Sequence, residues 1–142
     1  MPVRGRRMSL AKRAALTGEI LGTYRRARRL MRSVDLAEAL ASLREGPAPP
    51  AKQITADPED RLFAAVRIGR AVMLVLGRLP ADRRCLIRSL VVSSMLARRQ
   101  IPARLVLGVR PDADEPFLAH AWVEHAGVPV IPHEGYSRLH DL

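Results

Sequence analysis

Cysteine is almost absent. With Cys85 alone in 142 residues, an intramolecular disulfide and a cysteine-rich structural zinc site are both excluded, and the usage fits a reducing cytoplasm. Aromatic residues reach only 4%, too few to supply the stacked rings on which single-stranded nucleic acids are usually held. Lysine is confined to Lys12 and Lys52, so nearly all positive charge is arginine. Its planar fork suits carboxylates and phosphates alike and does not choose between an acidic peptide and a nucleic acid. Long hydrophobic runs are missing too. The longest uncharged apolar stretch, Ala71 to Gly77, is far short of the roughly 20 residues a membrane-spanning helix needs. The basic start, Arg4 to Arg13, leads into a segment interrupted by Lys12, Arg13 and Glu19, so no secretory apolar region follows it. The expectation is a soluble cytoplasmic protein with no membrane partner.

Hydrophobic residues make up 48% and charged residues 27%, enough apolar surface for a folded core. The net charge of +10 is uneven. Residues 1–50 hold eleven basic and four acidic groups, against thirteen and ten in residues 51–142. Ser9 can cap a helix with Leu16, Ile20, Tyr24, Ala27, Leu30, Met31 and Val34 at helical spacing, and Arg25, Arg26, Arg28, Arg29 and Arg32 fall late in it. A second short helix follows Asp35 through Leu36, Ala39, Leu40 and Leu43. Gly46-Pro47-Ala48-Pro49-Pro50 cannot continue a helix. It divides a helical N-terminal arm, residues 1–50, from a domain of residues 51–142.

Asp57-Pro58-Glu59-Asp60 is a strong helix start: a capping carboxylate, proline at the first helical position, and acids at the positive dipole end. This helix is expected to run to about Arg78 and to bury Leu62, Phe63, Val66, Val72, Met73 and Leu76. A third main helix, capped by Asp82, is expected from Arg83 to Arg99. The period then changes to two. Ala103–Arg110 and Leu118–His125 read as strands, and Ala126-Gly127 turns into a third at Val128–Ile131. Helices followed by antiparallel strands make an α+β domain.

With Asp82 as cap, Cys85 falls in the first helical turn, where unpaired backbone N–H groups, the dipole, and Arg84 and Arg88 all favour a thiolate. His120 lies 35 positions on, on a strand beside Trp122 and Glu124. Such a pair can pass the thiol proton to imidazole and then to a leaving amine. A single cysteine is more often inert packing and a strand histidine more often just polar, so the pairing carries the signal.

Five blocks then carry a family likeness: Cys85-Leu86-Ile87-Arg88-Ser89-Leu90, Leu96-Ala97-Arg98-Arg99-Gln100-Ile101-Pro102-Ala103, Leu107-Gly108-Val109-Arg110, Ala119-His120-Ala121-Trp122-Val123-Glu124, and Gly127. Together, over residues 79–131, they resemble the transglutaminase-like cysteine peptidases of lasso-peptide biosynthesis. The resemblance implies a transglutaminase-like, papain-like core in which Cys85 is nucleophile and His120 general base and acid, with neither metal nor cofactor. The wider superfamily usually sets an aspartate on the strand after the histidine strand, but Val128-Pro129-Val130-Ile131-Pro132 holds none and Glu134 is the nearest acid. In the lasso enzymes an aspartate three residues before the cysteine has been put in the triad, and Asp82 matches it. Asp82 has equally the residue type of a plain helix cap, so the third role stays open between Asp82 and Glu134.

The implied reaction removes the leader from a ribosomal precursor peptide. Such enzymes take the leader from a small winged-helix leader-binding protein, separate or fused at the N-terminus. Residues 1–56 read as helix, helix and linker without strands, so this partner is expected in trans. A macrolactam cyclase resembling asparagine synthetase is the implied next partner.

Three rival readings remain, one of them a catalytically dead scaffold of the same fold, which differs from the enzyme only in whether Cys85 reacts. A basic winged-helix module binding nucleic acid or peptide fits the charge and terminal hairpin, but the helix after Pro80 is apolar over most of its circumference, whereas a recognition helix needs an exposed polar face. Zinc is suggested by His120, His125, His133 and His140, whose spacings match no compact ligand pattern.

Overall fold

The computed structural model describes residues 7–45, 57–78, 85–110, 118–131 and 137–142. Four helices precede a small sheet: α1 (Leu10–Leu30), α2 (Leu36–Arg44), α3 (Pro58–Leu76) and α4 (Cys85–Arg98), then β1 (Arg104–Arg110), β2 (Leu118–His125), β3 (Val128–Pro129) and β4 (Ser137–Asp141). Local chemistry starts the first three helices. The side chains of Ser9, Asp35 and Asp57 accept from the backbone N–H groups of Lys12, Glu38 and Glu59 at 3.3, 2.8 and 3.0 Å, satisfying donors that have no partner within the helix. Pro58 occupies the first turn of α3 with Glu59 and Asp60. The start of α4 expected at Asp82 and Arg83 lies outside the described residues.

Helix α4 is the centre of the molecule. Ile87 and Ser89 to Leu96 are all buried, and α1, α2, α3 and β2 pack around them. A helix so enclosed has no polar face for a nucleic-acid groove, which overturns the recognition-helix alternative. Ile20, Tyr24, Ala27, Leu40 and Leu43 share one core cluster with Val72, Leu90, Met95, Leu105 and Trp122. The stretches anticipated as arm and domain therefore contribute to the same core; the proposed boundary at 46–50 lies outside the described residues.

At the far end of α4, Arg99 grips Glu19 of α1 with two parallel bonds of 2.8 and 2.7 Å, and Arg98 donates to Thr23 Oγ1 at 2.7 Å. Burial lowers the pKa of Arg98, while Glu19 acts in the opposite sense. The helix ends with Gln100 at φ 58°. There Gln100 N–H donates to Ala97 O and Ile101 N–H to Leu96 O, each at 3.0 Å, the bonding of a Schellman motif with glutamine where glycine is usual.

The sheet is antiparallel in the order β3-β2-β1-β4. Ala126 and Gly127, both at positive φ, form the tight turn from β2 to β3, as dipeptide and strand twist require. Three expectations need correction. Phe63 is 64% exposed and lies under the Arg67 guanidinium, 5.9 Å from the ring centroid, because α3 turns Ala65, Ile68, Val72 and Leu76 inward instead. The third strand pairs only over Val128–Pro129, since proline has no N–H to extend a ladder. β4 was not anticipated: its polar sequence shows no apolar alternation, yet it pairs with β1 across a bulge at Leu107/Gly108.

Gly69 of α3 is buried, and a Cβ there would run into the Val130 carbonyl oxygen, so the glycine is what allows α3 to approach the chain beyond β3. Gly18 and Gly22 on α1 face open space. In thermal unfolding, Gly69→Ala should destabilise by about 1–3 kcal/mol because the clash outweighs the better helix propensity. Gly18→Ala, with no clash, should instead stabilise by roughly 0.5–1 kcal/mol.

Candidate active site

The first residue of α4 meets the middle of β2. Cys85 is half-buried, and its Sγ accepts the backbone N–H of Ala121 at 3.3 Å. That amide is available because, among the described residues, β3 covers β2 only at Glu124 and His125, with one further bond from Val130 N–H to Val123 O at 2.9 Å. The amide of Ala121 therefore turns to the helix terminus for its acceptor. His120 is the residue next to this contact, also half-buried. Opposite it in β1 stands Gly108, so the cross-strand neighbour adds no side chain over the imidazole. The α4–β2 packing thus brings Cys85 against the strand segment that carries His120. Asp82 and Glu134, the two candidates for a third group, both lie outside the described residues.

The face of β2 that carries His120 is largely buried, although its residues are polar or amphipathic: Trp122 is 2% exposed and Glu124 9%. His120 and Trp122 stack with centroids 6.1 Å apart and planes 22° from parallel. Trp122 Nε1–H donates to Glu124 Oε1 at 2.9 Å, and Arg138 of β4 donates to Glu124 Oε2. Arg138 was missed because its strand was missed. The spacing of 120, 122 and 124 does put those three on one face, a signal that the tryptophan indole could have sharpened, since a buried indole N–H needs an acceptor.

His125 projects from the opposite face of β2. Its Nδ1 lies 2.6 Å from the Pro102 carbonyl oxygen; a carbonyl only accepts, so Nδ1 carries the proton. This histidine ties the sheet to the α4–β1 connection, which accounts for its burial without a metal. Among the described residues no three His, Cys, Asp or Glu side chains gather as a metal site would require, and no helix is long and apolar enough to cross a membrane.

Compared with known families, residues 20–141 match the model of the transglutaminase-like superfamily. Neither a curated protein nor a solved structure matches the chain. The matched region begins within α1 and ends in β4, so it takes in far more than the blocks around Cys85 and His120.

Cys85 stands half-buried at a helix start, against the strand that carries His120, which is where a nucleophilic thiol would be placed. Iodoacetamide should therefore alkylate native Cys85 readily near neutral pH, with mass spectrometry locating the adduct. Labelling only after denaturation would show that the thiol is packing and nothing more.

Proposed function

Because the chain belongs to the transglutaminase-like superfamily, whose members are usually enzymes of the cysteine-protease type, we propose that it is a cysteine peptidase that removes the leader from a lasso-peptide precursor. The observation that supports it best is the contact of Cys85 Sγ with the amide next to His120. In this reading His120 takes the thiol proton as Sγ attacks the scissile carbonyl, so that a C–S bond forms. The proton then passes to the departing amine as the C–N bond breaks and a thioester remains. Water, deprotonated by His120, cleaves the thioester; the leader leaves as an acid and the thiol is restored. No metal, nucleotide or other cofactor takes part.

Asp82 is proposed to orient His120 in addition to capping α4, with Glu134 as the competing acid. The leader comes to the enzyme on a small winged-helix leader-binding protein in trans, and the product passes to an asparagine-synthetase-like macrolactam cyclase, all in the cytoplasm. The α1 surface suits such docking. Arg25 and Arg29 are exposed one helical turn apart on α1, and Arg32 is exposed in the turn that follows it. Arg26 donates to the Ser42 carbonyl at 3.1 Å and Arg28 lies over the Tyr24 ring, so these two are partly engaged within the fold.

The decisive experiment incubates the protein with precursor and leader-binding protein and follows cleavage by mass spectrometry. Cys85→Ser should abolish it. Asparagine caps a helix about as well as aspartate, so Asp82→Asn should fold normally yet lose turnover by roughly 10²–10⁴-fold, in line with loss of an orienting acid. Parental cleavage by Asp82→Asn together with loss in Glu134→Gln would transfer the role to Glu134. Cleavage by Cys85→Ser would end the peptidase reading.

Reversal of Arg25, Arg29 and Arg32 to glutamate should weaken binding of the leader complex, with a smaller deficit at high salt. Alkylation of Cys85 should not change. Equal binding by the reversed and parental proteins at low salt would remove α1 from the interface.

A further inference from the structure

The strip His120–Trp122–Glu124 continues into β4 through Arg138, and it contains more order than packing requires. A buried tryptophan needs an acceptor for its indole N–H, and any backbone carbonyl would serve. Here the acceptor is a carboxylate that is itself nearly enclosed and held on its other oxygen by Arg138. Arg138 also lies 3.5 Å from Asp141, which pairs with Arg104 at 3.0 Å. The indole plane is therefore fixed from its edge by a charged network spanning three strands. Its face is presented to the imidazole of His120, while Gly108 across the strand offers that ring no side chain.

We propose that Glu124 is a positioning residue for His120, acting through Trp122: the carboxylate locks the indole, and the locked indole sets the plane of the imidazole, one residue from the amide that Cys85 Sγ contacts. The inference rests on the peptidase reading for its purpose and on the ring geometry for its substance. Two chemical consequences follow. An indole that donates its N–H to a carboxylate is the more electron-rich, and its face favours an imidazolium stacked on it. An imidazole held in one plane also loses less freedom when it pairs with the thiolate.

The test compares Glu124→Gln, which keeps an oxygen to accept the indole N–H, with Glu124→Leu, which has similar bulk and none. Both are made in the full chain and checked for folding by circular dichroism. One readout is the His120 Cε1–H signal in NMR, displaced by the ring current of Trp122. The other is the rate of Cys85 alkylation near neutral pH, where a thiol is helped by a neighbouring base, relative to that at about pH 9, where an ordinary thiol needs none. Glu124→Gln should keep the displaced signal and most of the neutral-pH rate. Glu124→Leu should lose the displacement and drop the neutral-pH rate by about three- to tenfold with the alkaline rate unchanged. If Glu124→Leu does not fold, Trp122→Phe takes its place, since it retains a ring without the N–H, and the same losses are expected.

A folded Leu or Phe variant with the parental signal and rate ratio would overturn the proposal, as would a Gln variant as impaired as Leu. A residue important only for stability would lower the melting temperature without separating the two pH limbs. Should parental Cys85 prove unreactive, the peptidase reading falls, and the His120 signal alone decides whether Glu124 positions the ring.

Discussion

Helix α4 imposes the arrangement of everything around it. Its sequence is apolar nearly all round, so burying only one face would leave Leu, Val and Met side chains in water, at roughly 1.5–3 kcal/mol for each large one. Three helices and a sheet are recruited to enclose it. The two ends of such a helix cannot be apolar, because their backbone groups need partners. At one end Arg98 and Arg99 engage Glu19 and Thr23. At the other the thiol of Cys85 engages the amide of Ala121. The site is thus the terminus of the core helix, and the rigidity available to it is that of the core.

Much of this is written locally. Ser9, Asp35 and Asp57 announce helix starts because a side-chain oxygen can only serve unpaired amides where a helix begins, and Ala126-Gly127 announces the hairpin because both residues must take positive φ. What escapes local reading is which face of an element meets which neighbour. Phe63 has the composition of a core residue, yet α3 is rotated by its contacts so that Ala65 and Val72 go inward. β4 has no alternation to read, since its place is set by β1 across the sheet.

The candidate site divides the same way. The meeting of Cys85 with the strand that carries His120 was legible because helix start, strand and spacing are local or repeated features, and the family match over residues 20–141 agrees with the fold they imply. The buried character of Glu124 was not. By alternation alone it belongs to the polar side of β2, and the arrival of Arg138 from β4 helps to make its enclosure tolerable, since a carboxylate removed from water without a cation and an N–H donor is strongly disfavoured. Polar residues on a strand thus inform about direction, while their burial depends on a partner far along the chain.

The brevity of β3 has a consequence for solubility. A strand whose amides are left open beside a short neighbour is a template onto which another chain can add, the usual origin of edge-to-edge aggregation. In this sheet, among the described residues, the part of β2 beyond the reach of β3 meets a helix terminus, with a sulfur occupying the amide that would register an incoming strand. The same atom therefore completes the bonding of β2 on that side, and a chain that had traded its thiol for a smaller, apolar side chain would leave the Ala121 amide without this acceptor.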